Sequence, residues 1–250
     1  MTKKLAGVLL AVTILLSASV LALRQTFAYP LTPMRFVILP QYAMVDMACT
    51  VLGVRRVGAD LAWIQLLQYY GNSENDMGQY KDFLQYCWRV VYFDPFASYA
   101  YLTGSAGLAW NMNRPEEALQ LLQYGIKVTD EYGANMTSDA RQPFWQYHLY
   151  ISAIIYKQKG DFGNMIQMLV KAAQQPNCPN MLKAVLANIL ESIKDYQGAL
   201  HLWYEVYATR DPMYLERSEQ KIIQLRNAPF HPPLEKGEIK KDERGGFEKP

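Results

Sequence analysis

Cysteine is scarce in this chain and never clustered. Cys49, Cys87 and Cys178 are separated by 38 and 91 residues, which excludes a CxxC metal or redox motif and a disulfide-stapled fold. Three cysteines allow one bridge with one spare thiol. Histidine is equally thin, with His148, His201 and His231 far apart. Neither sign of charge dominates: 25 Lys and Arg stand against 23 Asp and Glu, a formal charge of +2. That balance lacks the electrostatic footprint of a nucleic-acid binder. There is no Gly-rich phosphate loop, and strand signals are poor throughout. Apolar residues are what the chain has in quantity. They make 50% of it, charged residues 19%, which excludes wholesale disorder and, over 250 residues, permits a sizeable core. Tyrosine is unusually frequent at 18.

The longest uncharged run is Leu5 to Leu23, 19 residues, preceded by Lys3 and Lys4 and followed by Arg24. A bilayer core about 30 Å thick needs roughly 20 apolar residues in a helix, so the run predicts an uncleaved transmembrane signal anchor over 5–23. The alternative is a cleaved secretory signal; Val20-Leu21-Ala22 and Thr26-Phe27-Ala28 both resemble small-residue cleavage sites. In either case the lysines keep the short N-terminus, 1–4, in the cytoplasm and send the rest of the chain across. Pro30, Pro33 and Pro40 oppose helix continuation, and 24–58 reads as a Pro-containing lead-in segment that includes an apolar stretch from Tyr42 to Leu52.

The body, 59–228, reads as an array of helix pairs. Asp94-Pro95 and Asp211-Pro212 each follow an aromatic-rich helical stretch. Three helix-start signatures recur between them: Arg114-Pro115-Glu116-Glu117-Ala118-Leu119, Gly160-Asp161-Phe162-Gly163-Asn164-Met165 and Asp195-Tyr196-Gln197-Gly198-Ala199-Leu200. Met165 to Ala199 is 34 residues and Ala118 to Met165 is 47, one period plus an insertion supplied by 129–143. A helix pair of about 34 residues cannot bury its apolar faces alone, so neighbours must stack. Small residues mark the closest approach in the second pair: Gly104, Ala106, Gly107 and Ala109 against Ala118. Leu102, Trp110, Leu119, Leu122 and Tyr124 are expected to fill the gaps.

This spacing resembles the tetratricopeptide repeat family. Trp63, Tyr70-Gly71, Phe83 and Asp94-Pro95 match its positions in a first unit. Leu102, Ala106, Ala118, Leu119, Leu122 and Gly125 match in a second, Tyr156, Gly160 and Pro176 in a third. Leu186, Tyr196, Ala199, Leu200, Trp203 and Asp211-Pro212 match in a fourth. The stretch from Gly58 to Gly71 with Phe93-Asp94-Pro95 is also similar to bacterial membrane-anchored repeat proteins for which no activity carries over. The resemblance implies an all-α, helical-hairpin solenoid behind the N-terminal anchor. Met213 to Arg226, apolar at Leu215, Ile222, Ile223 and Leu225 among charges, predicts a terminal capping helix. The charged stretch 229–250 predicts a disordered tail.

No catalytic constellation emerges. Glu116-Glu117 follows Pro115 at a helix start, where acidic residues complement the helix dipole. Thr103-Gly104-Ser105-Ala106-Gly107 lacks nucleophile-elbow spacing. The expectation is therefore a non-enzyme with no metal, cofactor or nucleic-acid partner. In the repeat register the first helices line one face, which would carry Gln65, Gln68, Asn72, Trp110, Asn111, Gln146, Tyr156, Lys157, Asn188 and Glu191. Amides and aromatics at these positions suit binding of a protein segment. The expected role is a single-pass scaffold in a bacterial inner membrane, its repeats in the periplasm, serving as accessory subunit of an envelope assembly. The alternative is an obligate structural subunit of a larger complex, and an enzyme acting on envelope material ranks behind both.

Overall fold

Residues in the left-handed backbone region punctuate the chain. Tyr80, Asn113, Gly160 and Lys194 all have φ between 49° and 63°, and each stands two or three residues before a helix. A non-glycine residue pays for that conformation, so a turn at these places must be tight. The computed structural model describes residues 12–16, 19, 39–72, 80–132, 144–175 and 177–228. Among them every regular element is helical. A 3-10 turn at Pro40–Tyr42 leads into α1 (Ala43–Val51) and α2 (Arg55–Gly71). These are followed by α3 (Phe83–Phe93), α4 (Ser98–Ala106), α5 (Pro115–Tyr132), α6 (Trp145–Lys159), α7 (Phe162–Ala173), α8 (Asn180–Ser192), α9 (Tyr196–Ala208) and α10 (Leu215–Arg226).

Local chemistry sets the ends. Asp161 caps α7 by accepting from the Asn164 N–H at 3.0 Å, and Asp195 caps α9 through Gly198 at 2.9 Å. Each satisfies one of the orphan amides of a helix start. Pro115 occupies the first position of α5, where its missing N–H costs nothing. Both Asp-Pro turns close the same way: Asp94 Oδ1 accepts from Phe96 N–H at 3.1 Å, and Asp211 Oδ1 from Met213 N–H at 3.0 Å. The backbone bonds Ala118 to Arg114, Met165 to Asp161 and Ala199 to Asp195 place Met165 in register with the two alanines. A larger side chain thus sits, nearly buried, at the position where the other two pairs have alanine.

The helices pack as consecutive pairs, α2 on α3, α4 on α5, α6 on α7 and α8 on α9, with α10 against α9. Two apolar cores result. One gathers Ala59, Leu66, Phe93, Tyr101, Leu108 and Leu122; the other gathers Leu169, Leu186, Trp203, Val206 and Ile222. α6 contributes Tyr147 and Ile151 to the first and places Trp145 and Tyr156 against the second. α10 buries Ile222 and Leu225 but leaves Ile223 in solvent. Lys221 ties it to Glu191 of α8 at 2.6 Å.

Several expectations are corrected. The apolar stretch of the lead-in folds as α1, and α2 begins at Arg55. Residues 129–132 continue α5, so they do not belong to an insertion; 133–143 lie outside the described residues. Trp110 is not a core filler but 39% exposed. The small residues of α4 do not all serve Ala118. A side chain at Gly104 would meet Cys87 Sγ at 2.8 Å and Leu121 at 3.0 Å, and one at Gly107 would meet Phe83 at 3.1 Å, so this stripe admits α3 as well as α5. All three cysteines are free thiols. Most of the 5–23 run and all of 229–250 lie outside the described residues. Among those described, no helix is long and apolar enough to cross a membrane.

Candidate functional site: an aromatic face on the first helices

α4 does not end as an α-helix. Gly107–Asn111 forms a π turn, closed by the Met112 N–H donating to the Gly107 carbonyl at 3.0 Å. A π turn carries one residue more than an α turn, and one extra residue rotates the rest of the helix by about 100°. Trp110 and Asn111, the last two residues of this turn, are exposed.

They meet aromatic residues of the neighbouring first helices. The Asn111 amide donates to the Tyr70 hydroxyl of α2. The Trp110 ring lies 5.3 Å from that of Tyr150 on α6. At the other end of α4, Tyr99 packs edge-on against Trp63 of α2 at 4.8 Å. Between α2 and α4 runs a shallow cleft lined by Trp63, Leu67, Tyr70, Phe83, Thr103 and Asn111. Tyr99 and Trp110 are 38% and 39% exposed. The result is a face of half-exposed aromatic rings with amide and hydroxyl groups at its edges, suited to stacking and hydrogen bonding along a peptide.

The predicted face residues divide. Trp110 and Asn111 belong to this face. Gln68 and Asn72 are exposed toward the end of α2, and Gln146 is half-buried near the start of α6. Tyr156 stacks edge-on with Phe162 at 6.3 Å. The side chain of Lys157 lies outside the described residues. The other three serve the fold. Asn188 donates back to the Ala184 carbonyl at 2.7 Å. Glu191 accepts from Trp203 Nε1 at 2.8 Å and from Lys221 at 2.6 Å. Gln65 accepts from Arg89.

That last contact belongs to a buried cluster that sequence reasoning missed. Arg89 is fully buried and Asp46 is 6% exposed. Nε and Nη2 of Arg89 grip the carboxylate at 2.6–2.9 Å, and the guanidinium lies 4.3 Å from the Tyr42 ring centroid. The Tyr42 and Tyr86 hydroxyls are 3.4 Å apart; burial, then this neighbour, pushes Tyr86 up to about 12. A signal was present: one Asp in an otherwise uncharged apolar stretch, and one Arg in the aromatic run Phe83–Phe93. Two lone charges of opposite sign in apolar surroundings are expected to pair.

Other reactive groups are tied up or shielded. Ser105 is buried and donates to the Leu102 carbonyl at 3.0 Å. Burial pushes the Cys87 thiol up, and the Cys178 thiol up to about 11. Among the described residues no three His, Cys, Asp or Glu side chains converge as metal ligands. No family model matches the chain, and no curated protein or solved structure matches it either.

Proposed function

We propose that this protein is a non-catalytic, tetratricopeptide-like scaffold. It is held at a bacterial inner membrane by its N-terminal apolar run and binds a protein partner on the periplasmic side, as accessory subunit of an envelope assembly. The observation that carries the binding role is the aromatic face on α2, α4 and α6. Large half-exposed rings with amides at their rim are what protein-recognition surfaces concentrate, and the π turn that presents Trp110 follows the habit of such turns to occur at functional sites. Four helix pairs with a capping helix support the repeat reading, and 19 uncharged residues behind paired lysines support the membrane address.

A photoreactive phenylalanine analogue at Trp110, with a second at Gln120 on the outer side of α5, tests the binding role in cells. A discrete adduct at position 110 that is absent at 120 is expected. Equal labelling at both positions, or none at 110, would refute this face as the binding surface.

A further inference from the structure

α1 is built inside out. Its single charged residue, Asp46, points into the protein and ends in the Arg89 pair. Its hydroxyl residue, Thr50, donates back to the Asp46 carbonyl at 2.7 Å. The outward side carries Met44, Val45, Met47, Val51 and Leu52, 43–82% exposed, with no charged side chain from Ala43 to Val54 other than Asp46. The neighbouring helix α2 adds Val57, Leu61 and Ile64, all exposed and spaced as one helical stripe, with Asp60 beside it. A helix facing water shows the reverse arrangement, charges outward and apolar residues inward. Exposed apolar residues gathered in this way mark a contact surface.

We propose that this face rests on a lipid bilayer, with α1 in the interfacial plane and its outward side chains among the acyl chains. Three observations select lipid over the other occupants. A protein interface carries about one hydrogen bond per 100–200 Å², whereas the outward face of α1 offers no polar side chain to make one; hydrocarbon asks for none. Where the chain's own apolar run is described, Val12, Ile14, Leu15 and Leu16 are themselves 48–68% exposed. The length of chain fits: only 19 residues, 24–42, separate the end of that run from α1, a tether of at most about 68 Å. A body held that close to a membrane meets it at high effective concentration. Arg56, exposed at the start of α2, stands where a cation reaches headgroup phosphates while its stem lies along apolar surface. The inference rests on the membrane reading above and adds to it a second, monotopic contact about 5–10 Å deep.

The test is acyl-chain photolabelling of the full chain, reconstituted in phosphatidylcholine vesicles doped with a phosphatidylcholine that bears a diazirine in mid-chain. Adducts are located by peptide mass spectrometry. The expected result is lipid on peptides from 43–67 as well as 5–23, and none on 180–226, where Met181 and Met213 are just as exposed to water. Val51→Glu with Leu61→Glu, both at exposed positions, should abolish adducts on 43–67, keep those on 5–23 and leave the helical circular dichroism unchanged. Adducts confined to 5–23 in the unmodified chain would overturn the docking face and leave the anchor standing. Adducts on neither segment would overturn both, and persistence of 43–67 adducts in the double variant would overturn the assigned face.

Discussion

The guanidinium of Arg89 on α3 holds the carboxylate of Asp46 on α1 through three short hydrogen bonds, and both residues are buried. A buried pair of this kind adds little net stability over apolar residues, but breaking one half strands the other charge. It acts as a latch that fixes which side of α1 faces in. Asp46→Ala should therefore destabilise the fold by about 3–5 kcal/mol, while Asp46→Leu with Arg89→Met should recover most of that loss. Urea unfolding of the full chain in detergent, followed by circular dichroism, measures both. Equal losses in the single and double variants would show that the charges act independently.

Gly58 lies under the ring of Phe93. A Cβ there would come within 2.7 Å of Cδ1 and 2.8 Å of Cε1, whereas one at Gly71 would meet nothing within 4 Å. Phe93 is buried in the first core, so its ring can yield only by moving its neighbours. Gly58→Ala should cost about 1–3 kcal/mol. Gly71→Ala in the last turn of the same helix should be neutral or slightly stabilising, because alanine suits a helix better. Thermal melts of the two variants compare them directly.

Ala118 is fully buried on α5, and Ala118→Leu adds three carbons to packed surroundings, with an expected loss of about 1–3 kcal/mol. Gln120 is exposed and supplies the control: Gln120→Leu should lie within about 0.5 kcal/mol of the unmodified chain. Glu117, two residues after Pro115, cannot serve as that control. It pairs bidentately with Arg114 at 2.8 and 2.5 Å, and Arg114 also donates to the Tyr80 carbonyl at 3.0 Å. Equal melting temperatures for the position 118 and 120 variants would refute the register of the second pair.

His148 sits on α6 with its Nδ1 buried and without a hydrogen-bond partner. Burial lowers its pKa from 6.5, and Lys171 lowers it further against a weaker opposing effect of Asp130. In the interval below 6.5 the unfolded chain binds a proton that the folded chain refuses, so stability rises with pH there. This contribution is complete above about pH 6.5 and lost as pH falls below it. His148→Leu should flatten that part of the profile. Melting temperatures of both proteins at about pH 7.5 and about pH 5.5 decide it; parallel losses would place the titrating group elsewhere.

Helix positions were largely legible from residue order because they are set locally. Asp94-Pro95, Asp211-Pro212, the Asp161 and Asp195 caps and Pro115 each act within a few residues, and such signals need no tertiary partner. The four helix pairs and the capping helix could be laid out on that basis. The facing of individual side chains could not. Trp110 fits both a core and a face position in the sequence, and the fold leaves it 39% exposed in a π turn. Gln65 and Glu191 look like surface amide and acid until Arg89, Trp203 and Lys221, 12 to 30 residues away, engage them. The apolar stretch from Tyr42 to Leu52 carries no sign in its order of which side faces in, and much of it is exposed. The Asp46–Arg89 pair, closed across 43 residues, and the burial of Cys49 in the core mark its inward side. Periodicity along a chain reports how many faces a helix has; the energy that selects the inward one comes from partners distant in sequence, and it appears only when the chain has folded.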